Sequence, residues 1–435
     1  MDSLAAKRSS IIATASFMLS AWHNPAARVF NADLLVVLTA ASLPWSTSLA
    51  SIFSACWVLA VALTFDHSAF LRFLKRPACF LPIALFALAA IGTLWSDASW
   101  SARLYYIGPA LKLLFIPALL FHFQHSERGW WVFVAFLVSC TLLMAMSWLV
   151  LLEPGISLKQ DDPYRGIFVK NYIDQGQEFA ICAVTLAYPI YMLLRERRIW
   201  PALLLLAILL GFLANMAFVV VSRTAMVTMP IMLAVFAALH FRWRTSALIF
   251  AAAAFLAGAS FVASSQLRAT VNSFVRDYQL YKETNTATSV GLRLVYWQKS
   301  LRFIQEAPLV GHGTGSTRGL YEHVKTGIEG TATAEAVSNP HNQTLAVAIQ
   351  WGVIGVILLY AMWLSHLLLF RGEGFAAWVG LLVVVQNVLS SLFNSHLFDF
   401  HEGWMYVLGV GVAGGMVLGE RLRNSPETPQ SVFGP

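Results

Sequence analysis

Twelve apolar runs dominate this chain. They fall near residues 31–43, 49–65, 78–95, 107–123, 130–152, 177–194, 199–216, 217–240, 245–263, 345–370, 375–393 and 403–420. A bilayer-spanning helix uses about 20 apolar residues. Inside lipid every backbone polar group must be satisfied within the protein, so only helices and closed barrels cross a membrane. Barrel strands alternate apolar and polar residues, and these runs do not. The pattern therefore predicts an all-α polytopic membrane protein with about twelve transmembrane helices. The first run is short and is followed by Pro44, so a re-entrant hairpin is the alternative there. Composition agrees: 58% of residues are hydrophobic and 12% charged, against a charged share of about 25% in soluble domains. A soluble enzyme and a disordered chain are excluded.

The net charge is +7. Positive charge between apolar runs reads as membrane orientation rather than nucleic-acid binding, because Lys and Arg collect in cytoplasmic connections. With the N-terminus inside, inner segments hold Lys7, Arg8, Arg28, Arg72, Lys75, Arg76, Arg128, Arg195, Arg197, Arg198, Arg242, Arg244, Arg371, Arg421 and Arg423. Short outer connections hold only Arg103, Lys159, Arg165 and Lys170. Both termini are then cytoplasmic. The expected organisation is nine spans over 1–263, an outer loop over 264–340, three spans over 341–423, and a Pro/Ser-containing disordered tail over 424–435. Residues 1–30 loosely mimic a signal peptide but show no clean cleavage site, and read as a retained cytoplasmic or interfacial helix. The four cysteines have no close cysteine neighbours and suggest neither disulfides nor a zinc site. The loop 264–340 is too long and polar for a plain connector, and is expected to be partly helical, as over 291–306, and functional.

An ionisable residue inside a span is costly and marks function by default. Arg223, expected one to two turns inside the outer end of the run 217–240, is such a residue. Snorkelling or a buried carboxylate partner is its structural reading, and an outer anion site its functional one. Arg293 and Trp297 are four residues apart on one helical face, where a cation–π pair is the plain reading. His341 lies in Asn339-Pro340-His341-Asn342-Gln343-Thr344-Leu345, at the expected start of the tenth span. Asp161-Asp162 lacks a third metal ligand. His396, Asp399, His401 and Glu402 are the better metal candidates, although helix-end hydrogen bonding explains them as well. Gly311-His312-Gly313-Thr314-Gly315-Ser316 lacks the Lys of a nucleotide loop.

Taken in order, these pieces resemble the bacterial O-antigen ligase family, related to O-antigen polymerases and protein O-oligosaccharyltransferases. The likeness rests on His341-Asn342-x-x-Leu345 followed by Gly352 and Gly355, on Ser222-Arg223, on Arg293 with Trp297, and on Pro308-Leu309-Val310-Gly311-His312-Gly313. It covers roughly residues 160–420, with Gln350 standing where relatives often carry Glu. The resemblance implies a GT-C-like glycosyltransferase of the bacterial inner membrane with its active site facing the periplasm. Its donor would be O-antigen on undecaprenyl pyrophosphate and its acceptor a sugar hydroxyl of lipid A–core. Transfer would invert the anomeric centre, with no cofactor, no metal and no covalent intermediate. Arg223 and Arg293 would stabilise the departing pyrophosphate, and His341 would act as general base. Arg165, Lys170, Trp297 and Asn342 are further substrate-binding candidates, with rim solvation the plainer reading of the two cations. A polymerase would use the same donor with a glycan acceptor. A solute transporter or flippase is disfavoured by the absence of an internal repeat or matched broken helices, and by the long outer loop.

Overall fold

The computed structural model describes residues 25–62, 65–159 and 165–424. Among them the chain is helical, with no strand and one isolated bridge between Thr286 and Thr331. Most of the expected N-terminal helix, Asp161, Asp162 and the tail from 425 lie outside the described residues. Each of the twelve apolar runs overlaps a helix. Among the described residues, 8 helices are long and apolar enough to cross a membrane: Trp100–Phe123, Gly129–Leu152, Tyr172–Arg195, Ile199–Phe218, Arg223–His240, Trp243–Ala263, Gln343–Leu369 and Phe400–Arg423. Thr47–Ala62, Pro77–Ile91 and Phe375–Ser390 are apolar but shorter, and Pro25–Ser42 carries Arg28 and Asp33. The chain is a multi-pass, all-α membrane protein. Trp243–Ala263 buries no residue in the bundle, as suits a helix whose solvent is lipid.

Two apolar cores meet at the C-terminal helices. Pro25–Ser42, Thr47–Ala62, Pro77–Ile91 and Trp100–Phe123 pack on one side of Gln343–Leu369, Phe375–Ser390 and Phe400–Arg423. Gly129–Leu152, Tyr172–Arg195, Ile199–Phe218 and Arg223–His240 pack around Trp378 and Leu382 of the Phe375–Ser390 helix. Contacts between the parallel helices Gln343–Leu369 and Phe400–Arg423 mark the two ends of the bundle. Leu397 N–H donates to Gln343 Oε1 at 3.1 Å at one end, and Arg421 donates to Leu369 O at 2.8 Å at the other. Asp33, buried, gathers His122 and Arg128 at 2.8 and 3.2 Å.

The Gln343–Leu369 helix is broken, where no break was expected. Gly352 has φ +60° and ψ −157°, a conformation essentially reserved for glycine. The turn 308–315 fills the gap. His312 N–H and Gly313 N–H donate to the carbonyls of Ile349 and Gln350, both at 2.8 Å, and Val353 N–H donates to Pro308 O at 2.9 Å. Backbone groups freed by the break are thereby satisfied, a requirement at membrane depth. Gln350 donates to Ala346 O at 3.1 Å and accepts from Gly315 N–H at 2.9 Å. A neutral amide serves both bonds, and a carboxylate lacks the donor. Thr314 Oγ1 donates to Ala89 O at 2.6 Å, locking the turn to the Pro77–Ile91 helix.

One boundary needs correction. The eighth span begins at Arg223, not at 217. The stretch 219–222 is non-helical, with Val219 and Val220 N–H both donating to Asn215 O at 2.8 and 2.9 Å. The break hides in an apolar stretch, and Val219, Val220 and Val221 are buried. Arg223 is therefore the first residue of its helix rather than one to two turns inside a span.

Candidate active site

Four helix starts converge at the end of the bundle that holds Gln343. Asn171 caps Tyr172–Arg195, its Oδ1 accepting from Ile173 and Asp174 N–H at 2.8 and 2.9 Å. Ser222 caps Arg223–His240, Thr288 caps Ser289–Glu306, and Asn342 caps Gln343–Leu369 through Leu345 N–H at 3.1 Å. Helix starts carry unpaired N–H groups and the positive end of the helix dipole, so they favour anions. A polar strap, residues 391–399, crosses beside them.

His341 adopts φ +54° and sits just before the Gln343–Leu369 helix. Its N–H donates to Asn339 Oδ1 at 2.9 Å. Its ring Nδ1 lies 2.9 Å from Asn394 Oδ1, and Asn394 Nδ2 donates to Asp399 Oδ2 at 2.6 Å. Because the Asn394 amide nitrogen is spent on the carboxylate, its oxygen is what faces His341. The imidazole then carries its proton on Nδ1 and keeps a lone pair on Nε2, an assignment made from the network. Among the described residues Nε2 has no hydrogen-bond partner. Burial pushes the His341 pKa below its ordinary value of 6.5; the bond to Asn394 opposes this and the Arg293 charge adds to it. The ring stacks on Tyr296, with centroids 6.2 Å apart.

Arg293 and His341 are tied to consecutive residues of the strap. Arg293 Nε donates to Phe393 O at 3.5 Å, while Nη1 turns back to Ser289 O and Oγ at 2.9 and 2.7 Å. Burial lowers the Arg293 pKa, Tyr172 opposes this, and the charge of Arg223 lowers it further. The guanidinium remains charged, since its ordinary value is far above neutrality. Arg223 donates to Asp277 Oδ2 at 3.1 Å and to Ser273 Oγ, and lies over the Phe274 ring at 4.6 Å. Its carboxylate partner comes from the helix Ser265–Thr284, not from its own span. The structure thus brings Arg223, Arg293 and His341 to one end of the bundle.

The remaining candidates divide. Arg165 lies 4.9 Å over the Tyr172 ring, beside the first turn of Tyr172–Arg195. The Arg293–Trp297 cation–π pair does not form, because Arg293 turns to Ser289, and among the described residues the buried Nε1 of Trp297 has no hydrogen-bond partner. Asn342 is occupied as a helix cap and donates to Leu392 O at 3.2 Å. Lys170 is not solvated at a rim. It is buried, donating to Glu178 Oε1 at 2.9 Å and to Leu43 O, because the buried Glu178 carboxylate demands a counter-charge. The metal candidates face separate partners. His401 Nδ1 pairs with Asp174 Oδ2 at 2.7 Å, and Asp399 holds Asn394. Among the described residues no three His, Cys, Asp or Glu side chains are grouped to hold a metal ion.

Sequence reasoning missed Asn394, Asp277, Tyr172, Tyr296 and Lys112. Asn394 carries no local signal. Lys112 does, since it is a charge inside an apolar run. No curated protein matches the chain. A protein-family model described as O-antigen ligase matches residues 208–360, a stretch that holds Arg223, Arg293, the 308–315 turn, His341 and Gly352. Over those residues the chain is similar to the O-antigen ligase family.

Proposed function

We propose that this protein is an inverting, metal-independent glycosyltransferase that moves O-antigen from undecaprenyl pyrophosphate to a sugar hydroxyl of lipid A–core at the periplasmic face of the inner membrane. The observation that carries this reading is the convergence of two guanidinium groups and a neutral imidazole with a free Nε2 at helix starts on one end of a membrane bundle. A diphosphate leaving group gains negative charge as the anomeric bond breaks. Fixed guanidinium forks and helix N-termini in a poorly screened site offset that charge. His341 Nε2 takes the proton of the acceptor hydroxyl while that oxygen attacks the anomeric carbon. Attack from the face opposite the leaving group inverts the centre.

A lipid-borne donor is supported by a cavity of about 250 Å³ lined almost wholly by apolar side chains, among them Val132, Phe136, Ile181, Leu186, Val379 and Leu408. The apolar runs support spans over 1–263 and 341–423, and the charge asymmetry of the short connections supports cytoplasmic termini and a periplasmic loop 264–340.

The test is to combine purified protein with a polyprenyl-pyrophosphate glycan and lipid A–core and to look for the joined product. Product is expected, and it is expected to persist in EDTA. A protein that consumes donor equally well without lipid A–core, lengthening the glycan instead, is a polymerase. Activity lost in EDTA and restored by one divalent ion sinks the metal-independent mechanism.

A further inference from the structure

Lys112 lies inside the Trp100–Phe123 helix and is only 7% exposed. Among the described residues it forms no salt bridge. Its Nζ donates to Phe398 O at 3.2 Å and to Asp399 O, the last two residues of the strap. Gly403, in the first turn of Phe400–Arg423, leaves the space that Nζ occupies. A buried ammonium costs several kcal/mol in a membrane span. Two backbone carbonyls are a modest return for it, so the position of those carbonyls is what the cation secures. The strap they belong to supplies Phe393 O to Arg293, Asn394 to His341, and Asp399 to Asn394.

We propose that Lys112 is a positioning residue for glycan transfer: it anchors the strap at Phe398 and Asp399 and, through the Asp399 carboxylate and Asn394, holds His341 with its Nδ1 protonated and its Nε2 free. This rests on His341 being the base. Asp399 is the joint in this chain. Burial pushes its carboxyl up to about 7, the Lys112 charge opposes this, Asp174 adds to it, and the Asn394 bond opposes it. The other groups facing this region are His401, paired with Asp174; Glu402 on the following turn; His396 on the strap; and Arg293 on the loop helix. With Asp399 ionised, Asn394 is locked with its oxygen toward His341. With Asp399 protonated, the carboxyl can itself donate, the amide is free to turn, and the tautomer is no longer enforced.

Transfer rate is therefore measured against pH in purified wild type, Lys112→Met, Asp399→Asn and the double variant, alongside thermal unfolding of each. Lys112→Met is expected to move the limb near pH 7 upward by about one unit, which slows turnover at pH 7 by about five-fold, with KM for the donor unchanged. Asp399→Asn is expected to abolish that limb, and adding Lys112→Met is expected to shift nothing further. A folded Lys112→Met protein with the wild-type profile overturns the proposal, as does a shift that survives in the Asp399→Asn background. Should Lys112→Met not insert, persistence of the limb in Asp399→Asn alone overturns it. His341→Ala separates the two layers. Transfer retained in His341→Ala defeats the base assignment itself, whereas transfer lost there with Lys112→Met unaltered defeats only the role of Lys112.

Discussion

His341 owes its proposed chemistry to an asparagine. Asn394 can present either an oxygen or an N–H, and the Asp399 carboxylate selects the oxygen. Without that choice the lone pair would sit on the wrong ring nitrogen. Replacing His341 with Ala is expected to slow transfer by about 10²–10⁴-fold, the usual worth of a general base, with membrane insertion intact. An unimpaired variant removes the base. The sign of the pH dependence follows from burial. Because the His341 pKa is held below 6.5, the imidazole stays neutral at pH 6.5, and its own loss of activity is expected only as pH falls further. A His341 limb above 6.5 in the rate profile contradicts that placement. Arg293→Lys keeps a charge but loses the fork that reaches both the strap and a phosphate. Its turnover is expected to fall, and an unchanged rate reduces Arg293 to a structural role. Arg223 and His341 were legible as a charge in an apolar run and a polar motif before a span, and Arg293 through its spacing to Trp297 and the resemblance that this spacing helps to carry. Lys112 was legible by the same rule. Asn394 was not, because its value lies wholly in what it faces.

At the scale of elements, the broken helix and the glycine-bearing turn are one device. Pro308-Leu309-Val310-Gly311-His312-Gly313 and Gly352 stand out separately in the sequence, and nothing local says that they touch. In the fold, the turn supplies donors and acceptors for the helix it interrupts. Gly352→Ala places a side chain against the Leu309 backbone and forces a conformation that alanine avoids. A loss of about 1–3 kcal/mol is expected from backbone strain alone, read as a lower unfolding temperature in detergent. Unaltered stability and activity show the turn to be dispensable. The run 217–240 was misjudged at its start for a related reason: hydropathy continues through 219–222 while the backbone leaves the helix, since buried valines serve a break as well as a helix.

For the whole molecule, the proposed sidedness predicts two labelling patterns. In a cysteine-free background, a cysteine at Glu329 is expected to react with an impermeant maleimide in intact spheroplasts, whereas one at Glu373 reacts only after lysis. The reverse pattern turns the site toward the cytosol and ends the ligase reading. The sequence by itself determined the class of fold, because a bilayer admits few ways of satisfying the backbone and twelve apolar runs select helices among them. It also singled out the cations and the imidazole, which are conspicuous where charge is costly. Only the tertiary structure decided which of them share a site. Lys170 went to a buried carboxylate, Asn342 to a helix cap, and His341 to the Asn394–Asp399 pair. Those outcomes depend on hydrogen-bond geometry, in part between residues as many as 127 positions apart, and periodicity along a chain carries no record of such contacts.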